Sequence, residues 1–380
     1  MGPLKGYTII ELAGIGPCPM AGMMLADMGA EVISVERSTV RPATQKKDIS
    51  YRGKKSIALN LKSDAGVEAL LRLVDKADAL IEGFRPGVTE RLGVGPDVCA
   101  QRNPKLVYGR MTGWGQQGPL AQSAGHDINY ISITGALHAI GRKGEKPVVP
   151  LNLIGDMGGG GMLLAYGVVC ALLEAQKSGK GQVIDAAMID GAAQMMWMIP
   201  GFQASNMWNV NQRGVNLLDG GAHFYDTYET ADGKYISIGS IEPQFYAQLL
   251  ERTGADTERF AAQYDYARWP ELHVELTKIF KTKTRDEWCK VMQGSDVCFA
   301  PVLDINEAPD HPHNKARDAY VTLDGIVQHA PSPRFSRTIA AISHGMHQPG
   351  ADGESLLTDA GYSPDQIASL KSVGVLLLPE

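Results

Sequence analysis

Cysteine is scarce in this chain. Five occur among 380 residues, at Cys18, Cys99, Cys170, Cys289 and Cys298. Their odd number and wide spacing exclude a disulfide framework and any Cys-based metal motif, so a reducing, cytoplasmic setting is expected. Basic runs are missing too. With a formal charge of −6 and no basic patch interleaved with aromatics, nucleic acid is excluded as a general partner. The sequence opens on a strand pattern with no targeting segment before it, and Leu378-Pro379-Glu380 is not a peroxisomal address. The longest apolar stretch, Met157 to Leu173, begins with glycines and ends at Glu174, so it reads as a buried helix rather than a membrane span. No G-x-S-x-G elbow supports a hydrolase, and no Gly-Lys-Ser/Thr completes a Walker A loop. Repeats and low-complexity tracts are absent.

What is present is an ordinary globular composition, 44% hydrophobic and 21% charged, long enough for two domains. Strand and helix patterns alternate through the first 200 residues. Strands are expected at Ile9 to Leu12, Glu31 to Glu36, Ala79 to Glu82, Lys105 to Arg110 and, as a buried strand, Gln182 to Ala186. Helices are expected at Met20 to Met28, Ala65 to Lys76 and near Pro96 to Gln101. That alternation predicts an α/β fold with a doubly wound, Rossmann-like parallel sheet. Near Gly220 the texture changes to a smaller α+β unit. A hairpin turns at Ala231-Asp232-Gly233, helices follow at Gln244 to Arg252 and Trp269 to Phe280, and Pro301 to Leu303 reads as a closing strand. The expected division is a large domain over residues 1–200, completed by 320–380, and a small one over 201–319. A last helix is expected near Pro364 to Lys371.

The most informative stretch is Ala124-Gly125-His126-Asp127-Ile128-Asn129-Tyr130, taken with Asp156. Asp156 precedes four glycines, Gly158 to Gly161, that lead into the apolar helix. A histidine and a carboxylate beside N–H groups of a helix end, here Met157 and Gly158, are the parts needed to move a proton next to a carbonyl and hold the resulting oxyanion. Competing structural readings exist for each. Asp156 is also a good helix N-cap, although a cap needs no glycine run, and those glycines suit close ligand approach. A helix N-terminus lowers a carboxylate pKa, whereas a general acid needs it raised. His126 alone also suits a core position, and Glu242 before Pro243 suits a first helical turn. His311, His313, His344 and His347 read as surface loops without metal-ligand spacing.

Gly14-Ile15-Gly16-Pro17-Cys18-Pro19 after the first strand, with Glu36 ending the second, resembles a dinucleotide fingerprint. The third glycine is missing, and Pro17 and Pro19 delete two N–H donors where a pyrophosphate needs them, so a tight structural turn is the better reading. Cations gather early, at Arg37, Arg41, Lys54, Lys55, Lys62, Arg85 and Arg91. Solvated faces explain most of them, and a phosphate-bearing substrate explains why an acidic chain concentrates them near strand ends.

At these residues the sequence resembles CoA-transferase family III, in particular its racemase branch. The resemblance runs through Val35-Glu36-Arg37, Gly83 to Val88, Thr112 to Gln116, AGHDINY at 124–130, PLNLIGD at 150–156, GKGQVIDAAM at 179–188, LDGGA at 218–222 and IEPQFY at 241–246. It implies an interlocked homodimer whose active site lies between the large domain of one subunit and the small domain of the other. His126 and Asp156 would be two bases flanking the α-carbon of an acyl-CoA thioester, and Glu242 would approach His126 across the dimer. Arg37, Leu59, Lys62, Arg85 and Arg91 would contact CoA. The implied activity interconverts (R)- and (S)-2-methylacyl-CoA through an enolate, without metal or other cofactor. Two alternatives stand beside it: CoA transfer through an Asp156 acyl anhydride, and a non-catalytic binding protein. Met20, Met23, Met24, Met195, Met196 and Met198 suit either an adaptable acyl surface or core packing.

Overall fold

The computed structural model describes residues 2–41 and 46–379. The chain forms two compact units, one of residues up to 134, 151–195 and 318 onward, the other of 135–150 and 196–317. Residues 135–150 therefore sit with the smaller unit, and 196–200 join them there.

The larger unit is built on six strands: β1 (Thr8–Leu12), β2 (Glu31–Glu36), β3 (Lys54–Leu59), β4 (Ala79–Glu82), β5 (Val107–Thr112) and β6 (Val183–Ala187). They lie parallel in the order β3-β2-β1-β4-β5-β6, with Leu376–Leu377 added antiparallel at the β3 edge. The sequence order reverses between β1 and β4, so the crevice outside their carboxyl ends is the place where such sheets bind ligands. Ile9, Ile10, Leu80 and Ile81 are fully buried, because helices cover both sheet faces.

Two expected strands differ. The β5 strand begins two residues late because Asn103 ends the preceding helix: its Nδ2 donates to the Val74 and Ala77 carbonyls, and its Oδ1 accepts from Lys105 N–H at 3.1 Å. The β6 strand is an edge, not a buried strand, with Val183 52% exposed. The β3 strand, opened by two lysines, was not foreseen. It fits the sheet because Lys54 Nζ meets the buried Glu11 carboxylate at 2.6 Å and the Pro19 carbonyl at 2.9 Å.

Buried charges also tie the C-terminal return to this unit. Arg52 forks onto Asp27 at 2.6 and 3.2 Å and reaches Gln328 and the His329 carbonyl. Asp352 accepts from Ser56 N–H at 2.8 Å and faces His347 Nδ1 at 2.7 Å. The His344 and His347 rings stack 4.1 Å apart. Both are half-buried rather than surface residues, since His347 is engaged in holding this return. All five cysteines are free thiols.

The smaller unit holds the sheet β7 (Tyr225–Glu229), β8 (Tyr235–Gly239) and β9 (Phe299–Pro301), antiparallel throughout. The β9 strand lies two residues before the expected position. Gly233, at φ +75°, makes the hairpin turn. Helices Pro243–Thr253, Trp269–Phe280 and Arg285–Met292 enclose an aromatic core of Phe224, Tyr228, Tyr246, Trp269, Phe280 and Trp288.

Candidate active site

The candidate residues of the larger unit come from its strand ends. Arg37 follows β2, Lys62 lies three residues past β3, and Arg85 lies three past β4. All are exposed, as is Arg91 at the end of the short helix Val88–Arg91, and none has a carboxylate partner among the described residues. The other early cations are already committed. Arg41 pairs with Glu36 at 2.9 Å, Lys54 with Glu11 at 2.6 Å and Lys55 with Glu31 at 2.8 Å. Seven cations thus resolve into three structural ones and four free ones. Leu59 differs from the expectation for it: the residue as a whole is 1% exposed, packed in the core, and so is not open to a ligand.

The first βα turn is structural, as its two prolines suggest. Gly16 at φ +74° precedes Pro17, the first residue of the helix Pro17–Asp27. Glu36 is buried and accepts from Ser56 Oγ at 2.7 Å as well as from Arg41, so it presents no free carboxylate to a ribose.

Beyond β5 the chain brings the two proton-transfer candidates together. His126 occupies the N-cap of the helix Asp127–Ile133 in extended conformation. Its N–H donates to Asn129 Oδ1 at 3.0 Å, and its carbonyl accepts from Asn129 N–H at 2.8 Å. With the backbone fixed this way, the imidazole is left exposed. Behind it, the Tyr130 hydroxyl donates to the Gly125 carbonyl, and its ring meets Trp114 edge-on at 4.8 Å. A Cβ at Gly113 would lie 2.2 Å from the Tyr130 ring, so the TGWG and AGHDINY segments fit only with glycine there.

Asp156 is not an N-cap. Leu153–Met162 is a π-helix that begins after Asn152 and runs into the α-helix Leu163–Ser178. Asp156 stands in its first turn, half-buried. The Asp156 N–H donates to Asp127 Oδ2 at 2.7 Å, and Asn152 Nδ2 donates to Asp156 Oδ2 at 3.3 Å. Asp127, next to His126 in sequence, therefore links the two candidates through one hydrogen bond. Burial raises the Asp156 pKa above the ordinary aspartate value; the Asn152 hydrogen bond and the His126 charge oppose this, while the negative charge of Asp127 adds to it. The upward direction is the one a general acid needs.

The glycine run has a different purpose from ligand approach. Gly159, Gly160 and Gly161 are buried. A Cβ on Gly159 would lie 2.6 Å from Ala192 N, one on Gly160 3.0 Å from Pro17 Cβ and Met188 Cγ, and one on Gly161 2.9 Å from the Pro17 carbonyl. The glycines let the helices Pro17–Asp27 and Met188–Met195 seat against the π-helix. Met157 N–H is already bonded to the Asn152 carbonyl at 3.3 Å, and Gly158 lies inside the same π-helix, so neither is a free helix-end donor for an oxyanion. The run Leu153–Ser178 is long and apolar enough by composition to cross a membrane, yet Leu164, Ala165, Val168, Ala171 and Leu172 are packed in the core.

In the smaller unit, Glu242 is the N-cap residue of the helix Pro243–Thr253, just ahead of Pro243 rather than in the first turn. Its exposed side chain makes no capping hydrogen bond. The loop before it is pinned by Gln263 Nε2 on the Ser240 and Ile241 carbonyls, at 3.0 and 2.8 Å, and by the Tyr264 hydroxyl on the Ile241 carbonyl at 2.6 Å. A rigid loop thus displays a carboxylate that the helix itself does not use. Among the described residues, no group of three or more His, Cys, Asp or Glu is arranged to hold a metal. Sequence reasoning gave Asp127 no role. Its place between His126 and a helical pattern is visible in the sequence, but its bond to Asp156 is not.

The profile of CoA-transferase family III matches residues 4–352. The α-methylacyl-CoA racemases of Mus musculus and Homo sapiens are 44% and 41% identical over 373 and 374 residues, covering 97% of this chain and 96% of each relative. A probable fatty acyl-CoA transferase of Mycobacterium tuberculosis is 31% identical over 327 residues, 78% of this chain and 82% of that protein. A solved structure of it aligns with a TM-score of 0.79 at 28% identity, covering 94% of this chain and 99% of the other.

Proposed function

The chain belongs to CoA-transferase family III, and on that premise we propose that it is a racemase interconverting (R)- and (S)-2-methylacyl-CoA thioesters. The α-proton of a thioester is acidic because the enolate oxygen takes the charge. One base removes that proton from one face while a second acid delivers a proton to the other. His126 acts on the (S)-proton and Asp156 on the (R)-proton, and each returns the proton it received in the reverse direction. Each contributes about 10²–10⁴-fold.

The observation that carries this reading is the bond from Asp156 N–H to Asp127, which fixes the acidic group relative to the neighbouring His126. The free cations Arg37, Lys62, Arg85 and Arg91 suit the phosphates of CoA. The uncapped Glu242 suits a role in orienting and charge-balancing His126 from the partner subunit of an interlocked homodimer. This chemistry needs no metal or redox group. Identity to the racemases exceeds that to the transferase relative, which favours proton transfer over acyl transfer.

The test mixes the protein with (S)-2-methylacyl-CoA in D₂O. Epimerisation with α-deuterium uptake is expected. Acyl exchange between CoA acceptors without α-deuterium would instead support Asp156 as a nucleophile, and the absence of both reactions would leave a binding role.

A further inference from the structure

We propose that Asp127 is a positioning residue of this site, holding the Asp156 backbone in fixed register with His126 and placing a second carboxylate behind the Asp156 carboxyl. The proposal rests on the racemase reading. Three observations carry it. Asp127 is 4% exposed, and its Oδ2 accepts the Asp156 N–H at 2.7 Å. Its other oxygen, Oδ1, is buried with no hydrogen-bond partner. Gly155 makes the contact possible, since a Cβ there would stand 2.9 Å from Asp127 Oδ2.

An unpartnered buried carboxylate oxygen costs stability, and asparagine would make the same hydrogen bond without the charge. A structural link alone therefore does not explain aspartate at this position. Its charge does, because a second negative group beside Asp156 favours the protonated form needed to deliver a proton to the enolate.

The charges around Asp156 are few. From the helix Asp127–Ile133 come Asp127 itself, His126 at its cap and Tyr130; Arg85 interacts with Tyr130 in turn. Other elements packed on the π-helix carry groups engaged elsewhere or exposed. Asp27 is paired with Arg52, Arg110 with Glu82 and Glu90, and Asp185 accepts from Gln116 N–H, while Asp190 is exposed. Glu174 and Lys177 lie beyond, in the last turns of the helix Leu163–Ser178. Among the described residues, Asp127 is the carboxylate whose charge acts on Asp156.

Asp127→Asn separates charge from shape. The full-length protein is labelled with carboxyl-¹³C aspartate, and the Asp156 signal is assigned by its loss in Asp156→Asn. In Asp127→Asn the Asp156 titration midpoint should move to lower pH by about one unit. The acid limb of (R)-substrate exchange should move with it, because ionised Asp156 is the base in that direction. Asp127→Ala, which removes the acceptor as well, should lose at least about tenfold in exchange from (R)-substrate, the direction in which Asp156 is the base, and less from (S)-substrate. An unchanged Asp156 titration in Asp127→Asn, or wild-type exchange in Asp127→Ala, overturns the proposal. A wild-type protein that takes up no α-deuterium defeats the racemase reading instead, while the Asp156 titration still decides whether Asp127 couples to it.

Discussion

At the residue scale, His126 and Asp156 differ in what holds them, and the two should fail differently. His126 is exposed and fixed through its backbone, so His126→Ala disturbs little else. It should lower racemisation of (S)-substrate by about 10²–10⁴-fold while Asp156 still exchanges the (R)-proton slowly. The check is α-deuterium uptake measured separately from each enantiomer, and equal loss from both would argue against one base per face. Asp156 gives a pH prediction. Its folded pKa is raised by burial, so the folded state binds its proton more tightly than the unfolded chain does. The stability it contributes is present below the ordinary aspartate pKa and is lost as pH rises through the folded value. At pH 7 the ionised group is therefore a burden, and Asp156→Asn should raise Tm by on the order of 1 °C. That gain should vanish toward pH 3. A Tm difference independent of pH would contradict the raised pKa.

At the element scale, legibility depended on whether an element's cause is local. The strands Glu31–Glu36 and Ala79–Glu82 and the helix Trp269–Phe280 carry their own apolar pattern, and their expected bounds match the observed ones. The strand Lys54–Leu59 does not, because Lys54 belongs in a core only where Glu11, far away in sequence, meets it. The π-helix was hidden for the same reason. Its glycine run suggested a ligand, whereas the missing side chains are replaced by neighbouring helices, which the sequence does not display. This distinction is measurable by urea unfolding. In Gly159→Ala the new Cβ meets the backbone of Gly191 and Ala192, which cannot yield without moving a helix, so a loss of about 1–3 kcal/mol is expected. In Gly158→Ala the closest contact is the flexible end of Met195, and the loss should stay under about 1 kcal/mol. Equal costs would mean that the close helix contact is not what the glycines serve.

At the scale of the whole molecule, the proposed homodimer raises the question of which subunit would supply Glu242 to His126. The two residues belong to different units of the chain, and no spacing in the sequence bears on whether they meet within one subunit or between two. Only the family resemblance speaks to it. Glu242→Gln should lower activity more than stability, because the exposed carboxylate makes no capping bond whose loss would weaken its helix. Subunit complementation then separates the two arrangements. Inactive His126→Ala and Glu242→Gln proteins are co-refolded, so that some dimers contain one subunit of each. If the site spans the interface, one site of each mixed dimer carries both defects and the other carries neither, and partial activity returns. If both residues come from one subunit, every site keeps one defect and the mixture stays inactive. Mixed dimers detected by mass spectrometry but lacking recovered activity would remove Glu242 from the partner's site. The His126 and Asp156 assignment would remain, because those two residues and the Asp127 bond between their elements lie within a single unit.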